Sequence, residues 1–176
     1  MTGKEFLNSL AKGQSDIVQL LLDILAETGS RYCVIGGLAV NAYVDPVVSL
    51  DIDIVAAVED VGAAGLAAKE RGLKVEQFEH SVNISSIHSD LRIQLQTDSR
   101  YQDFIPRAEP RDILGYRMSV AILDDVLQGK VWAYMDQTRR RSKRQKDLAD
   151  ILRIIEAYPQ LESKLPPSLK EELDNK

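Results

Sequence analysis

Residues 32–43 read YCVIGGLAVNAY, and residues 51–55, beyond a short linker, read DIDIV. The first stretch is an apolar strand running into Gly36–Gly37, then a short run of helix formers that stops at Asp45-Pro46. Glycines placed directly after a strand permit backbone conformations closed to other residues and let a ligand approach the chain closely. The helix start behind them offers unpaired N–H groups suited to phosphate. In the second stretch Asp51 and Asp53 share one side of a strand while Ile52 and Ile54 take the other. Like charges side by side on a sheet are unfavourable without a partner. Their natural partner is a hard divalent cation such as Mg²⁺, which completes its shell with waters and phosphates. Taken alone, the glycine pair reads equally as a structural turn and the acids as a solvated pair. Taken in order they make one candidate phosphate-and-metal site at Gly36, Gly37, Asp51 and Asp53. No Gly-Lys-Ser/Thr follows the glycines and the dinucleotide spacing is absent, so neither of those phosphate motifs applies.

Outward from this stretch, residues 4–28 are expected to form one helix, or two broken near Gly13, with Val18, Leu21, Leu22 and Leu25 at helical spacing. Residues 59–71 predict an alanine-rich helix ended by Gly72. LKVEQFE, SVNISSI and LRIQLQT predict three short strands, the last two joined by a tight turn around Ser89-Asp90 with His88 close by. YRMSVAI is a further strand candidate. Residues 122–136 and 139–158 predict amphipathic helices, the second burying Leu148, Ile151, Leu152 and Ile155. The prolines at 159, 166 and 167 lead at most to a short terminal helix. The expected fold class is α/β (α+β): a mixed core over residues 1–120, and a helical extension over 121–176 packed on it.

Composition narrows the function classes. The chain has 176 residues and a formal charge of -5. It contains no apolar run long enough to span a membrane and no signal-peptide pattern at its start, so a cytoplasmic protein without a membrane partner is expected. Cys33 is the single cysteine and lies in an apolar strand, which reads as a small buried hydrophobe. His80 and His88 are the only histidines, too few for a histidine-built zinc site. Residues 139–146, RRRSKRQK, hold six of the 22 basic residues and no acid, either a local anion-binding strip or a solvated helix face.

With these residues in place the chain resembles the minimal nucleotidyltransferase fold of the polymerase-β-like superfamily. The resemblance is closest to stand-alone bacterial members related to the AbiEii toxin group. The pattern is a strand, Gly36–Gly37, a short helix carrying Ala39 and Asn41, then Asp51-x-Asp53. RQKDLADIL at 144–152 is similar to the Arg-x-Lys-Asp-x-x-Asp helix of many relatives. The resemblance implies transfer of a nucleoside monophosphate from a nucleoside triphosphate to a hydroxyl acceptor, with pyrophosphate released. Mg²⁺ (or Mn²⁺) would sit on Asp51 and Asp53, and Gly36 and Gly37 would cradle the phosphates. Lys146 is the expected phosphate counter-charge from the tail, against the plainer reading of Lys146–Asp150 and Lys143–Asp147 as surface helix pairs. The acceptor stays open among RNA, protein and small molecule. Arg139 to Arg141 could meet an RNA backbone, although Trp132 and Tyr134 fit a helix better than a stacking platform. A partner protein from a toxin–antitoxin pair is a further implication.

The resemblance also implies two metal ions held by three carboxylates, the third on a later neighbouring strand. The matching stretch is LRIQLQT, which puts Gln94 at that position and the neutral Gln96 on the same face. Glutamine offers a carbonyl oxygen but neither a negative charge nor a general base. Asp90 and Asp98 are four residues to either side, roughly 13 Å along the strand. Glu76 and Glu79 are the remaining acids that could complete the trio. An alternative follows: a catalytically weak or inactive protein of this fold that binds nucleotide or a partner.

Overall fold

A computed structural model describes residues 1–13 and 15–174. The N-terminal region takes the broken form, α1 (Gly3–Leu10) and α2 (Ile17–Glu27), while Gln14 of the expected 4–28 span lies outside the described residues. Helix α1 starts on a capping box in which Thr2 and Glu5 satisfy each other's backbone N–H. Then follow β1 (Tyr32–Ile35), α3 (Gly36–Val40), β2 (Asp51–Ala56), α4 (Val61–Glu70), β3 (Lys74–Gln77), β4 (Ser81–Ser86) and β5 (Ser89–Gln96). A 3-10 segment (Ser99–Arg107), β6 (Glu109–Ile113), β7 (Tyr116–Val120), α5 (Leu123–Met135), α6 (Arg141–Ala157), a second 3-10 segment (Pro159–Lys164) and α7 (Pro167–Asp174) complete the order.

The seven strands form one mixed sheet in the order β3-β4-β5-β2-β1-β7-β6. Strands β2–β5 and β1–β7 pair in parallel and the other neighbours antiparallel. Alternation along the strands gives the sheet two unlike faces. Ile52, Ile54, Ile93, Leu95, Val82 and Ile84 are all buried on one face, where α4 packs over Val75 and Val82. Each such side chain contributes roughly 1.5–3 kcal/mol of burial. Register places Asp51, Asp53, Arg92, Gln94, Gln96 and Asn83 on the opposite face. Helix α3 lies against β1 and β2, α5 and α6 pack on α3, and Arg92 and Gln94 stay exposed. Apolar residues of α5 and α6, including Val126, Leu127, Leu148, Ile151 and Ile154, join the same core cluster as the strands.

Three details depart from the sequence reading. The β4–β5 turn falls at Ile87–His88, so Ser89 and Asp90 already belong to β5. The inner face of α6 carries Asp147, Leu148, Ile151 and Ile154, while Leu152 is exposed and Ile155 half-buried. The stripe turns because Asp147 is drawn inward by Lys130 of α5, at 3.0 Å. Strand β6, not expected, is a sheet edge that tolerates Pro110 because a proline needs no ladder donor there.

Candidate functional site

Gly36 opens α3 directly after β1, in the left-handed region at φ +69°, where L side chains are strained. A Cβ built on it would stand 2.6 Å from Asp53 Oδ2. The glycine is therefore required twice, by its own backbone and by the carboxylate that β2 presents opposite Ile35. No side chain caps the N-terminus of α3, which leaves its first N–H groups facing the same corner. Asn41, at the other end of α3, exchanges hydrogen bonds with the backbone of Val47 and so fixes the loop leading to Asp51.

The two aspartates are unlike one another. Asp51 is a full ion-pair partner: Arg92 Nε donates to Oδ1 at 2.7 Å and Lys143 Nζ to Oδ2 at 2.7 Å. Burial works to raise its pKa, but those two cations outweigh it and hold the carboxyl below its ordinary value. Asp53, half-buried, accepts no hydrogen bond and makes no ion pair among the described residues. Desolvation pushes its carboxyl up, opposed by the nearby charge of Lys130 and reinforced by Asp51. In parallel register Gln94 stands beside Asp53 and Arg92 beside Asp51.

Asp53, Gly36 and Gln94 form one end of a cavity of about 190 Å³. Its other walls include Lys130, Arg139, Asp147, Arg100, Tyr101 and Trp132. Lys130 is buried between Asp147 Oδ1 (3.0 Å) and Asp150 Oδ2 (2.7 Å). Arg139 pairs with Asp147 at 2.8 Å, and Arg153 with Asp150 at 2.7 Å. Three cations on two acids leave this α5–α6 joint with positive charge beside the open carboxylate. Tyr101, Phe104 and Trp132 pack together with ring centroids 5.3–5.8 Å apart and tie the 3-10 segment to α5.

Gly36 and Asp53 are thus brought together on the cavity wall, while Gly37, next in α3, and Asp51, two residues earlier on β2, flank them without lining it. Lys146 is not brought to the site: it is exposed and outside the cavity wall, because α6 turns Lys143 toward Asp51 instead. Asp147 and Asp150 form a buried network with α5 rather than surface pairs with Lys143 and Lys146. Glu76 lies in the same cross-strand row as Asp53 but three strands away, about 14 Å. It pairs with Lys74, while Glu79 is exposed beside His80. Asp90 pairs with Lys12 and Asp98 with Arg100. Among the described residues no three His, Cys, Asp or Glu side chains form a metal-binding group. Trp132 lines the cavity, whereas Tyr134 is buried. Cys33 is fully buried, and burial pushes its thiol up to about 12, consistent with an inert core residue.

Lys130 was not singled out from the sequence, and Arg139 was read there only as a contact for an RNA backbone. The usable signal for Lys130 is its place within the helical stripe Val126, Leu127, Val131 and Tyr134, where a lysine is buried only with acidic partners.

No protein-family model matches this chain, and no curated protein matches it. Solved structures do. The antibiotic-resistance factor ANT(2'')-Ia is 13% identical, with a TM-score of 0.60 over 90% of this chain and 96% of its own. The lincosamide antibiotic adenylyltransferase LnuA is 10% identical, at 0.56 over 81% and 98%. A nucleotidyltransferase-like protein from Paracoccidioides brasiliensis is 17% identical, at 0.53 over 85% and 75%. At such identities the likeness is one of fold, and the fold is that of nucleotidyltransferases.

Proposed function

We propose that this chain transfers a nucleoside monophosphate from a nucleoside triphosphate to a hydroxyl acceptor. The observation that carries the reading is Asp53. It is a half-buried carboxylate without a hydrogen-bonding partner, two residues from Asp51 and directly beneath the Gly36 corner. A hard oxygen donor left bare in a polar cavity fits a divalent cation, Mg²⁺ or Mn²⁺, with Asp53 as its open carboxylate and the ion-paired Asp51 beside it. When bound, such a cation would offset phosphate charge at the reacting α-phosphorus. The nucleotide-fold neighbours support the class: ANT(2'')-Ia has been solved with adenylyl-2''-tobramycin and LnuA with lincomycin.

In this reading the N–H groups behind Gly36 and Gly37 hold the phosphates. Lys143 and the Lys130 joint supply fixed positive charge, the role first expected of Lys146. The acceptor oxygen bonds to the α-phosphorus as the α–β bridging bond breaks and pyrophosphate leaves. Gln94 cannot take the acceptor's proton, so that proton passes to a phosphate oxygen of the nucleotide. Base preference and acceptor are undefined, as RNA, protein or small molecule. Among the described residues no helix is long and apolar enough to cross a membrane, which accords with a cytoplasmic substrate pool.

A second reading has its own support. Gln94 beside Asp53, with Asp51 already ion-paired, favours a module that binds nucleotide or a partner protein without transfer. A role in a toxin–antitoxin pair, as in the AbiEii group, would belong here. Incubation with labelled ATP, CTP, GTP and UTP, Mg²⁺ or Mn²⁺, and total RNA, protein or metabolite extract separates the two. Transfer that disappears in Asp53→Asn supports the enzyme. Nucleotide binding with no transfer to any pool favours the module, and absence of nucleotide binding removes the enzyme and leaves only a partner-protein module.

A further inference from the structure

The fold family implies two metal positions, and the donors here do not fit two. Resting on the nucleotide reading above, we infer that the site takes a single divalent cation, seated on Asp53 and the Gln94 carbonyl oxygen. The Lys143 ammonium on Asp51 replaces the second.

Three observations converge. First, the parallel register puts a neutral amide, Gln94, beside Asp53, where a second ion would need a further negative charge. Second, both oxygens of Asp51 are occupied, by Arg92 on Oδ1 and Lys143 on Oδ2, each at 2.7 Å. Two +1 side chains already exceed the single negative charge of one aspartate. Third, the other acids on the cavity wall are already engaged, Asp125 by Arg107, Asp147 by Lys130 and Arg139 and Asp136 by Thr138, while Asp90, Asp98, Glu76 and Glu79 pair elsewhere; among the described residues no three His, Cys, Asp or Glu form a metal-binding group.

Two divalent ions would bring four positive charges to two carboxylates that already face Lys143, Arg92 and the Lys130 joint. One ion keeps the charge within reach of a triphosphate. Lys143 is well placed for a fixed charge: it projects from the third residue of α6, a helix anchored to α5 by the Lys130–Asp147 and Lys130–Asp150 pairs. It is thus a positioning residue as well as a counter-charge. It keeps Asp51 aligned with β2 while Asp53 alone is open to the ion.

The test counts Mn²⁺ by electron paramagnetic resonance, first with Mn²⁺ alone and then with each of the four α,β-methylene nucleoside triphosphates, which cannot react. The wild-type chain is expected to hold one Mn²⁺ under both conditions. That ion should be lost in Asp53→Asn and kept in Asp51→Asn. The double variant Lys143→Ala/Gln94→Asp frees Asp51 Oδ2, leaving Arg92 on Oδ1, and adds a third carboxylate, so it should hold two ions with the nucleotide analogue. Two ions in the wild type overturn the inference whatever the variants do, and so does an unchanged count of one in a folded double variant. Nucleotide bound with no ion overturns this inference but leaves a nucleotide site standing. Neither ion nor nucleotide bound removes the underlying functional reading as well.

Discussion

Asp51 and Asp53, two residues apart on one strand, respond to pH with opposite signs. The folded state lowers the pKa of Asp51 through Lys143 and Arg92 acting against its burial, so that pair stabilises the protein above the ordinary carboxylate range. The contribution is lost as pH falls through the depressed folded value. Burial raises the pKa of Asp53, so its ionised form destabilises the fold at neutral pH, and that penalty disappears below the unfolded value of about 3.9. Asp53→Asn should therefore raise the melting temperature at pH 7, and Asp51→Asn should lower it by stranding Lys143 and Arg92. The Asp53→Asn difference should shrink toward pH 4 and the Asp51→Asn difference only below it, measured as melting temperature against pH. A fall for Asp53→Asn at pH 7 would contradict the account. Gly36→Ala should cost roughly 1–2 kcal/mol from the left-handed backbone alone, plus the clash with Asp53, read from the urea midpoint. At this scale the sequence was legible where a residue's role is local. Gly36–Gly37 and Asp51-x-Asp53 follow from strand and turn rules. That Gly36 also makes room for Asp53 does not follow, because the contact crosses two strands.

Among the elements, the α5–α6 joint is where polar burial governs stability. Lys130, with a side chain only 9% exposed, is the shared partner of Asp147 and Asp150. Removing one partner of a buried pair leaves uncompensated charge and costs about 3–5 kcal/mol. Lys130→Met is expected to fall in that range by urea denaturation. Adding Asp147→Asn should recover part of the loss, because one stranded acid is then neutral. Equal effects for the single and double variants would show that the pairs are not coupled. This joint explains why Lys146 was expected at the site and Lys143 arrived. Helical periodicity gives the apolar stripe, but the rotation of α6 is set by Asp147 turning inward to a lysine on another helix. The expected i,i+4 surface pairs were geometrically sound and lost to a partner that local rules do not see. Strand β6 was hidden for a related reason. Its Pro110 argues against a strand, and only its edge place in the sheet, hydrogen-bonded on one side to β7, accommodates it. The Leu114-Gly115 turn that joins it to β7 has both residues at positive φ without an Asn-Gly signal.

At the scale of the whole molecule, the change in sequence character near residue 120 invites a reading of core plus appendage, and the packing points to one cooperative unit. Val126, Leu127, Val131, Leu148, Ile151 and Ile154 are 0–6% exposed and belong to the cluster that contains the sheet's own apolar residues. Lys143 reaches back across 92 positions to Asp51, and Tyr158 donates to the carbonyl of Tyr43. An isolated 1–120 segment would expose the core residues, α3 among them, against which α5 and α6 pack. The full chain is therefore expected to unfold in urea as a single transition, with near-UV and far-UV circular dichroism coinciding. The 1–120 segment alone should keep secondary structure but lose near-UV signal and bind a hydrophobic dye. Two separated transitions in the full chain, or a cooperative melt of the 1–120 segment, would show instead that the helical extension is a separate unit. In that case Lys143 would reach Asp51 only while the extension is docked, and the charge of the site would depend on that docking.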